Sequence, residues 1–445
     1  MVDAGKTISG TLAKFVHEIS YDDLPQKVRD LAKTRILDAL STAIAGRDMP
    51  YSKVILNMVK GNKGNSTIVG CDFKANAEDA MFANSVLVHS IFQEDVLYWS
   101  HPDTIIVPVA FTVSEQEHSS GKELLLAILL GYEITARLAR AVYPVAMSAF
   151  RGGPIMCTVG SGATAGRPMK LDAEKLRNTL GLVASISPGV LNQGWWAGTM
   201  EPVIEAGQCT RTAYLAARCA RAGATSDPVE FEGRDGFLNA WAGTQERVSA
   251  ITDNLGKDYI AMETWEKYYP VCSLNQRNIQ VALPLAKLGL KAANIEKVVE
   301  RTWIGGVSYA GADFTGPFVN DYQPPMSNQF TTAAAILGRP VKSFDYYQKN
   351  YNDVEVAELT KKFEIIREDG RDKYRFEVYT KDGKIHVAEE ETIDMALYEP
   401  ESGRLMKKFT DLASPVIGEQ RAASIRDQVM SLDEVSDVCE FLNQL

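Results

Sequence analysis

A chain of 445 residues that is 45% apolar and 23% charged is ordinary globular material, and it is longer than one hydrophobic core usually covers, so two domains are expected. Its net charge of −10 and pI near 5.2 offer no basic face to neutralise phosphates, which argues against a nucleic-acid or anionic-membrane partner. No stretch approaches the roughly 18–20 apolar residues of a membrane span, and the opening MVDAGKTISG lacks the regions of a secretion signal, so a cytoplasmic location is expected.

From Val28 onward, Leu31, Ala32, Ile36, Ala39, Leu40 and Ala43 recur at helical spacing, and Gly46 stands where the chain would leave the helix. The same period returns in AEDAMFANSVLVHSIF and in KELLLAILLGYEITARLARAV, the second introduced by Ser120 and Glu123 at capping-box spacing. Further helices are predicted at DAEKLRNTLGLVASIS and TRTAYLAARCARAG, whose many Ala, Gly and Ser residues suit a closely packed bundle. After about residue 262 the texture changes, and VVERTWIGGVSYA is rich in the β-branched and aromatic residues of strands. Tyr374, Phe376 and Val378 alternate with polar residues ahead of Asp382-Gly383, which reads as a two-residue hairpin turn. LNQRNIQVALPLAKLGL and SNQFTTAAAIL interrupt these strands as helices, making a smaller α+β unit. From about residue 400 polar helices return in SGRLMKKFTDLA and SIRDQVMSLDEVSDVCEFLNQL and are expected to rejoin the first domain.

Six cysteines, Cys71, Cys157, Cys209, Cys219, Cys272 and Cys439, are scattered without a CxxC pair. That pattern fits reduced thiols and presents no zinc or iron-sulfur ligand set. In EDVLYWSHPDTIIVPVAF the histidine, His101, precedes Pro102 and is therefore pushed into an extended or turn conformation. Glu94 and Asp95 lie just upstream, and a carboxylate beside an imidazole fixes its tautomer and raises its basicity, as a general base requires; the competing reading is a solvated surface turn. The glycines of GSGATAG sit among helix formers with no buried strand before them, so close helix packing explains them better than a phosphate loop. Trp195 and Trp196 in QGWWAG suit either a pocket wall or loop packing. Arg151 and Arg211 are candidate carboxylate binders, weighed against an internal ion pair with an acid such as Glu201 or Glu205. Lys267, Tyr268 and Cys272, in EKYYPVC, fall at the junction of the two predicted units, where small ligands usually bind.

Together these segments resemble the MmgE/PrpD family, whose members include dehydratases, decarboxylases and epimerases of small organic acids. The likeness runs through RDLAKTRILDALSTAIAG, NSVLVHSIFQEDVLYWSHPDTIIVPVAF, SGKELLLAILLGYEITARLARAV, AFRGGPIMCTVGSGATAG, KLRNTLGLVASISPGVL, EFEGRDGFLNAW and EKYYPVCSLNQRNI, and it is carried by their order and spacing together. It implies a mainly α fold: a large all-helical domain of residues 1–262 and 400–445, with a smaller α+β lid domain, 263–399, inserted before the C-terminal helices. It also implies a homodimer with an active site in the cleft and no metal or organic cofactor. The family's acid pair followed by His-Pro is matched by Glu94, Asp95, His101 and Pro102, its Lys-x-x-Pro by Lys267 and Pro270, the histidine or cysteine beyond by Cys272, and a basic helix residue by Arg211. Three positions depart: Arg151 stands in place of an imidazole, EPVIE from Glu201 loses two basic residues, and Phe330 replaces a tyrosine.

The reaction expected from this resemblance is proton abstraction next to a carboxylate or carbonyl of a small organic acid, with cations stabilising the enediolate-like intermediate. The reading is a cofactor-independent lyase of the dehydratase type. His101 is the principal base, oriented by Asp95 and Glu94; Lys267, Arg211 and Arg151 bind carboxylate; Tyr268, Trp195 and Trp196 contact substrate. Cys272 is a proton donor if its thiol pKa is lowered. Epimerase and decarboxylase outcomes stay open, as does an inactive member retained as a binding protein, since three expected site residues are changed.

Overall fold

A computed structural model describes residues 3–142, 150–368, 370–390 and 402–445, with the side chains of 304, 305 and 402 outside that description. The fold is mainly α with one small sheet. The first lobe is built from α1 (Ile8–Glu18), α2 (Gln26–Gly46), α3 (Pro50–Val59), α4 (Ala77–Val88), α5 (Asp103–Gln116), α6 (Gly121–Val142), α7 (Gly152–Gly166), α8 (Ala173–Ile186), α9 (Gln193–Ala197), α10 (Glu201–Arg221) and α11 (Phe237–Ala242). Two short antiparallel pairings punctuate it: β1 (Ser66–Thr67) with β2 (Lys74–Ala75), and β3 (Asp95–Val96) with the distant β4 (Trp265–Glu266).

The helical apolar period works as expected: Leu31, Ala32, Ile36, Ala39, Leu40 and Ala43 of α2 are all buried. Ser120 accepts the backbone N–H of Glu123 at 3.3 Å, but the Glu123 carboxylate pairs with Arg167 instead of closing the reciprocal half of the capping box. The glycines of GSGATAG lie inside α7, where the absence of a side chain lets α6 come close at Gly160 and α8 at Gly162 and Gly166. A Cβ on Gly160 would meet Thr135 Oγ1 at 2.2 Å and the Gly131 carbonyl oxygen at 2.4 Å. Gly160→Ala is therefore expected to cost about 1–3 kcal/mol through overpacking, measurable as a lower denaturant midpoint at unchanged slope. A change under a few tenths of a kcal/mol would show that the two helices slide apart freely.

The lid carries its own core around Val281, Val298, Phe330, Phe376 and Val378. Its sheet has the order β6-β5-β7-β8, from β5 (Ile295–Thr302), β6 (Phe363–Arg367), β7 (Arg375–Thr380) and β8 (Ile385–Glu389), with β5 parallel to β6 and antiparallel to β7. Around it lie α12 (Asn275–Ala282), α13 (Gln323–Met326), α14 (Asn328–Ile336), α15 (Phe344–Lys349) and α16 (Val354–Thr360). The β7-β8 turn is not the expected two-residue turn. Thr380 N donates to Lys384 O at 2.9 Å across Lys381, Asp382 and Gly383, and Gly383 adopts φ 84°, a three-residue loop whose left-handed glycine restores the strand twist.

The C-terminal helices α17 (Ser402–Ile417), α18 (Glu419–Met430) and α19 (Cys439–Leu442) return to the first lobe, where Leu405, Phe409 and Ala413 join its core. The expected boundary at 399/400 lies outside the described residues. The inner face of the lid also contributes: Cys272, Tyr322 and Met326 pack into the larger core, so the two lobes meet through apolar contact.

Candidate functional site

The helical prediction for AEDAMFANSVLVHSIF runs too long. α4 ends at Val88, His89 caps it, and Phe92 takes a left-handed φ of 57°, turning the chain back across the lobe. This reversal delivers Glu94 to β3. The β3-β4 register pairs Asp95 with Glu266, and one step further along the same register sets Glu94 opposite Lys267. Lys267 Nζ donates to Glu94 Oε1 at 2.5 Å, with both side chains buried.

The same oxygen faces two imidazoles, His89 Nδ1 at 3.3 Å and His101 Nδ1 at 3.6 Å, whose ring centroids are 5.8 Å apart. His101 Nδ1–H donates to the Asp95 carbonyl oxygen at 2.7 Å, which leaves Nε2 as its basic nitrogen. His89 Nε2 accepts from Arg151 Nη2 at 3.5 Å, so its lone pair is already engaged. Burial, together with the Lys267 charge, holds the His101 imidazole well below its usual pKa of 6.5, against the opposing pull of Glu94. Burial lowers His89 in the same direction. Burial pushes the Glu94 carboxyl up, but Lys267 and the two histidines outweigh it and keep the group well below 4.5. The pocket therefore holds one buried carboxylate, one ammonium partner and two neutral imidazoles.

Two expectations about this histidine are corrected. Its basicity is lowered, not raised, because desolvation outweighs the nearby carboxylate. The group that orients it is the Asp95 backbone carbonyl; the Asp95 carboxylate points the other way, accepting from Tyr132 OH at 2.6 Å and from Asp103 N at 3.1 Å, with Arg35 at 3.8 Å. Successive residues of a strand face opposite sides, so Glu94 and Asp95 serve different environments. Burial raises Asp95 to about 6 despite Arg35, and raises Asp103 well above the ordinary range. Asp38, Asp95 and Asp103 have the donor types of a metal site, but Arg35 and Lys408 already neutralise the cluster from inside the protein.

His89, Glu94, His101, Arg151, Lys267 and Cys272 line one cavity of about 270 Å³ at the seam of the two lobes. Its other walls are largely apolar: Phe92, Trp99, Trp195, Leu274, Trp303, Tyr309 and Met326. Arg151 lies 4.8 Å above the Trp195 ring, forms an ion pair with Glu205 and donates to the Pro202 carbonyl at 2.9 Å. Of the two acids weighed as its partner, Glu205 takes the role and Glu201 stays exposed. The lowered thiol pKa expected of Cys272 as a proton donor is corrected: burial raises it, with Lys267 opposing, so the thiol is held protonated and is a poorer acid than a free cysteine.

The remaining expected site residues are elsewhere. Arg211 pairs with Asp79, donates to the Glu78 carbonyl at 3.2 Å and stacks over Phe82, serving α4-α10 packing. Trp196 is 45% exposed and does not line the cavity, because adjacent residues of the short α9 point in different directions. Tyr268 lines a neighbouring cleft. Phe330 sits in the lid core against Phe318, so the missing hydroxyl there leaves the cavity unaltered. In the other direction, sequence reasoning missed His89, Trp99, Trp303 and Tyr309; the hydroxyl of Tyr309 donates to Asn192 Oδ1 at 3.0 Å.

Residues 10–248 match the family model described as the MmgE/PrpD N-terminal domain, and residues 269–434 match the MmgE/PrpD C-terminal domain. A cis-aconitate decarboxylase of Aspergillus terreus is 22% identical over 478 residues, covering 100% of this chain and 96% of that protein. A second, from Aspergillus terreus (strain NIH 2624 / FGSC A1156), is 23% identical over 475 residues, covering 98% and 96%. The cis-aconitate decarboxylase-like protein oryM of Aspergillus oryzae (strain ATCC 42149 / RIB 40) is 21% identical over 273 residues, covering 57% of this chain and 56% of that protein.

Proposed function

The chain belongs to the MmgE/PrpD family, and from that premise we propose that it is a lyase of the dehydratase type that removes a proton next to the carboxylate of a small organic acid, using its own side chains as acid and base. The observation that carries this reading is the neutral, half-buried His101, fixed through Nδ1 and bordering a cavity it shares with the Lys267 ammonium. A neutral imidazole accepts a proton without first losing one, and an adjacent ammonium stabilises the enediolate that forms. The C–H electron pair becomes the new π bond as the C–O bond breaks, and the departing hydroxyl leaves as water after taking a proton from Lys267.

The charge balance narrows the substrate. Arg151 is offset by Glu205 and Lys267 by Glu94, while aromatic rings form much of the wall. This suits one carboxylate on a largely apolar body better than a tricarboxylate. A decarboxylase is the second reading, favoured by the named activity of the full-length relatives. In that case carbon dioxide leaves first and the resulting carbanion takes its proton from Lys267.

The protein is further proposed to act in the cytoplasm as a homodimer. To test the chemistry, the enzyme is incubated in deuterium oxide with a panel of monocarboxylic 3-hydroxy acids and unsaturated dicarboxylates and followed by NMR. An alkene arising with loss of water supports the dehydratase, and carbon dioxide release with deuterium in the product supports the decarboxylase. Deuterium in recovered substrate with neither product means an epimerase, and no exchange with any acid favours an inactive binding protein; either outcome overturns the lyase assignment.

A further inference from the structure

Beside the reaction cavity, and separated from it by Lys267, is a second cleft of about 410 Å³ between the lid and α17. Both spaces are bordered by Lys267. In a chain of net charge −10, this cleft is locally positive among the described residues: Lys267, Lys342, Arg404, Lys407 and Lys408 line it, with Glu266 and Asp411 the acids among those residues. Three of these cations are countered by neighbours: Lys267 by Glu94, Lys408 by Asp38 and Lys407 by Asp411 at 2.7 Å. Lys342, on the lid, is held differently. Its Nζ donates to the Tyr268 hydroxyl at 2.5 Å and lies 4.3 Å from that ring's centroid, contacts that position an ammonium without cancelling its charge.

The same cleft carries unused acceptors. Gln93 Oε1 and Glu266 Oε1 are buried and have no hydrogen-bond partner among the described residues. Gln93 cannot simply swing its amide round, because Nε2 donates to the Tyr268 carbonyl at 3.1 Å. Buried acceptors left unmade are costly, and a ligand or water that donates to them recovers that cost. A wall with an uncancelled ammonium at one side and bare acceptors at another asks for a molecule that is both anionic and a hydroxyl donor.

We propose that this cleft is a binding site for a small hydroxylated dianion, a hydroxy-dicarboxylate or a polyol phosphate, held between Lys342 of the lid and Lys407 of α17. Occupancy ties the two lobes together beside Lys267, so the site acts on the reaction cavity from outside it. The assignment does not rest on the proposed reaction.

The test is calorimetric titration of the full chain with malate, succinate and glycerol 3-phosphate, using wild type, Lys342→Ala/Lys407→Ala and His101→Ala. Wild type is expected to bind malate saturably and succinate at least fivefold more weakly, because succinate lacks the hydroxyl. The double lysine variant is expected to weaken malate at least tenfold with an unchanged melting temperature, since both lysines are on the surface, whereas His101→Ala binds as wild type does. Tighter binding of glycerol 3-phosphate than malate assigns the anion as a phosphate, and the reverse assigns a carboxylate; both support the site. Malate binding that survives the lysine substitutions but is lost in His101→Ala places the ligand in the reaction cavity and overturns the proposal, as does the absence of saturable binding by malate and glycerol 3-phosphate alike.

Discussion

His101→Ala is expected to lower kcat by about 10²–10⁴-fold, the range a positioned general base contributes, while leaving the fold intact. Among the described residues the side chain makes one hydrogen bond, to the Asp95 carbonyl, and it lines a cavity instead of filling a core, so its truncation removes chemistry more than packing. Turnover of the variant within threefold of wild type would rule out His101 as the base. The pH profile supplies a second, independent readout. Because the folded imidazole titrates well below 6.5, kcat/KM is expected to stay flat from about pH 8 down through pH 6.5 and to fall only further into the acid range. Stability behaves differently, and the sign is fixed by linkage. Above about pH 6.5 both folded and unfolded histidines are neutral. Below it the unfolded chain takes up protons that His89 and His101 refuse, so these two groups withdraw stability as pH falls while catalysis still holds, whereas the raised carboxyls of Asp95 and Asp103 take up protons in the folded chain and act in the opposite sense. Measured across about pH 5–8, the histidine contribution is read as the difference in melting temperature between wild type and His101→Ala, which should move in the variant's favour as pH falls.

Glu94→Gln is expected to be among the most destabilising single changes in the chain, at about 3–5 kcal/mol, because it strands the Lys267 ammonium inside the protein without its counter-charge. Turnover should be lost as well, since the oxygen that faces both imidazoles is neutralised. Glu94→Gln/Lys267→Met removes both charges together and is expected to restore at least half of the lost stability while remaining inactive, as neutral pairs of similar volume replace buried ion pairs at little cost. Chemical denaturation of the single and double variants measures the coupling. Equal instability of the two would mean that the pair contributes through shape alone.

Much of the architecture was legible from periodicity. The core face of α2, the alternation of β7 and the return of α17 to the first lobe all follow from where apolar side chains recur. The site was legible in part. His101 stood out because a following proline forbids the helix, and Lys267 and Cys272 because they fall where the texture changes. His89 did not, because a lone histidine in SVLVHSIF continues an apolar helical run; that α4 ends at Val88 and leaves His89 as its cap on the cavity wall is invisible to a helical period. Arg211 misled for a related reason: an arginine opening an alanine-rich stretch looks unpartnered until the fold brings Asp79, 132 residues away, against it. Asp95 was read as the twin of Glu94, whereas adjacency along a strand separates side chains instead of uniting them.

The pairing of β3 with β4 has a consequence for anyone recombining relatives of this protein. Glu94 is encoded in one lobe and Lys267 at the root of the other, yet they face each other one step beyond the end of a two-residue ladder. A chimera whose crossover falls between them inherits each half of that ladder from a different parent. Only parents that agree at both positions will yield a hybrid with a neutral seam, so these two sites must be treated as a single unit of inheritance.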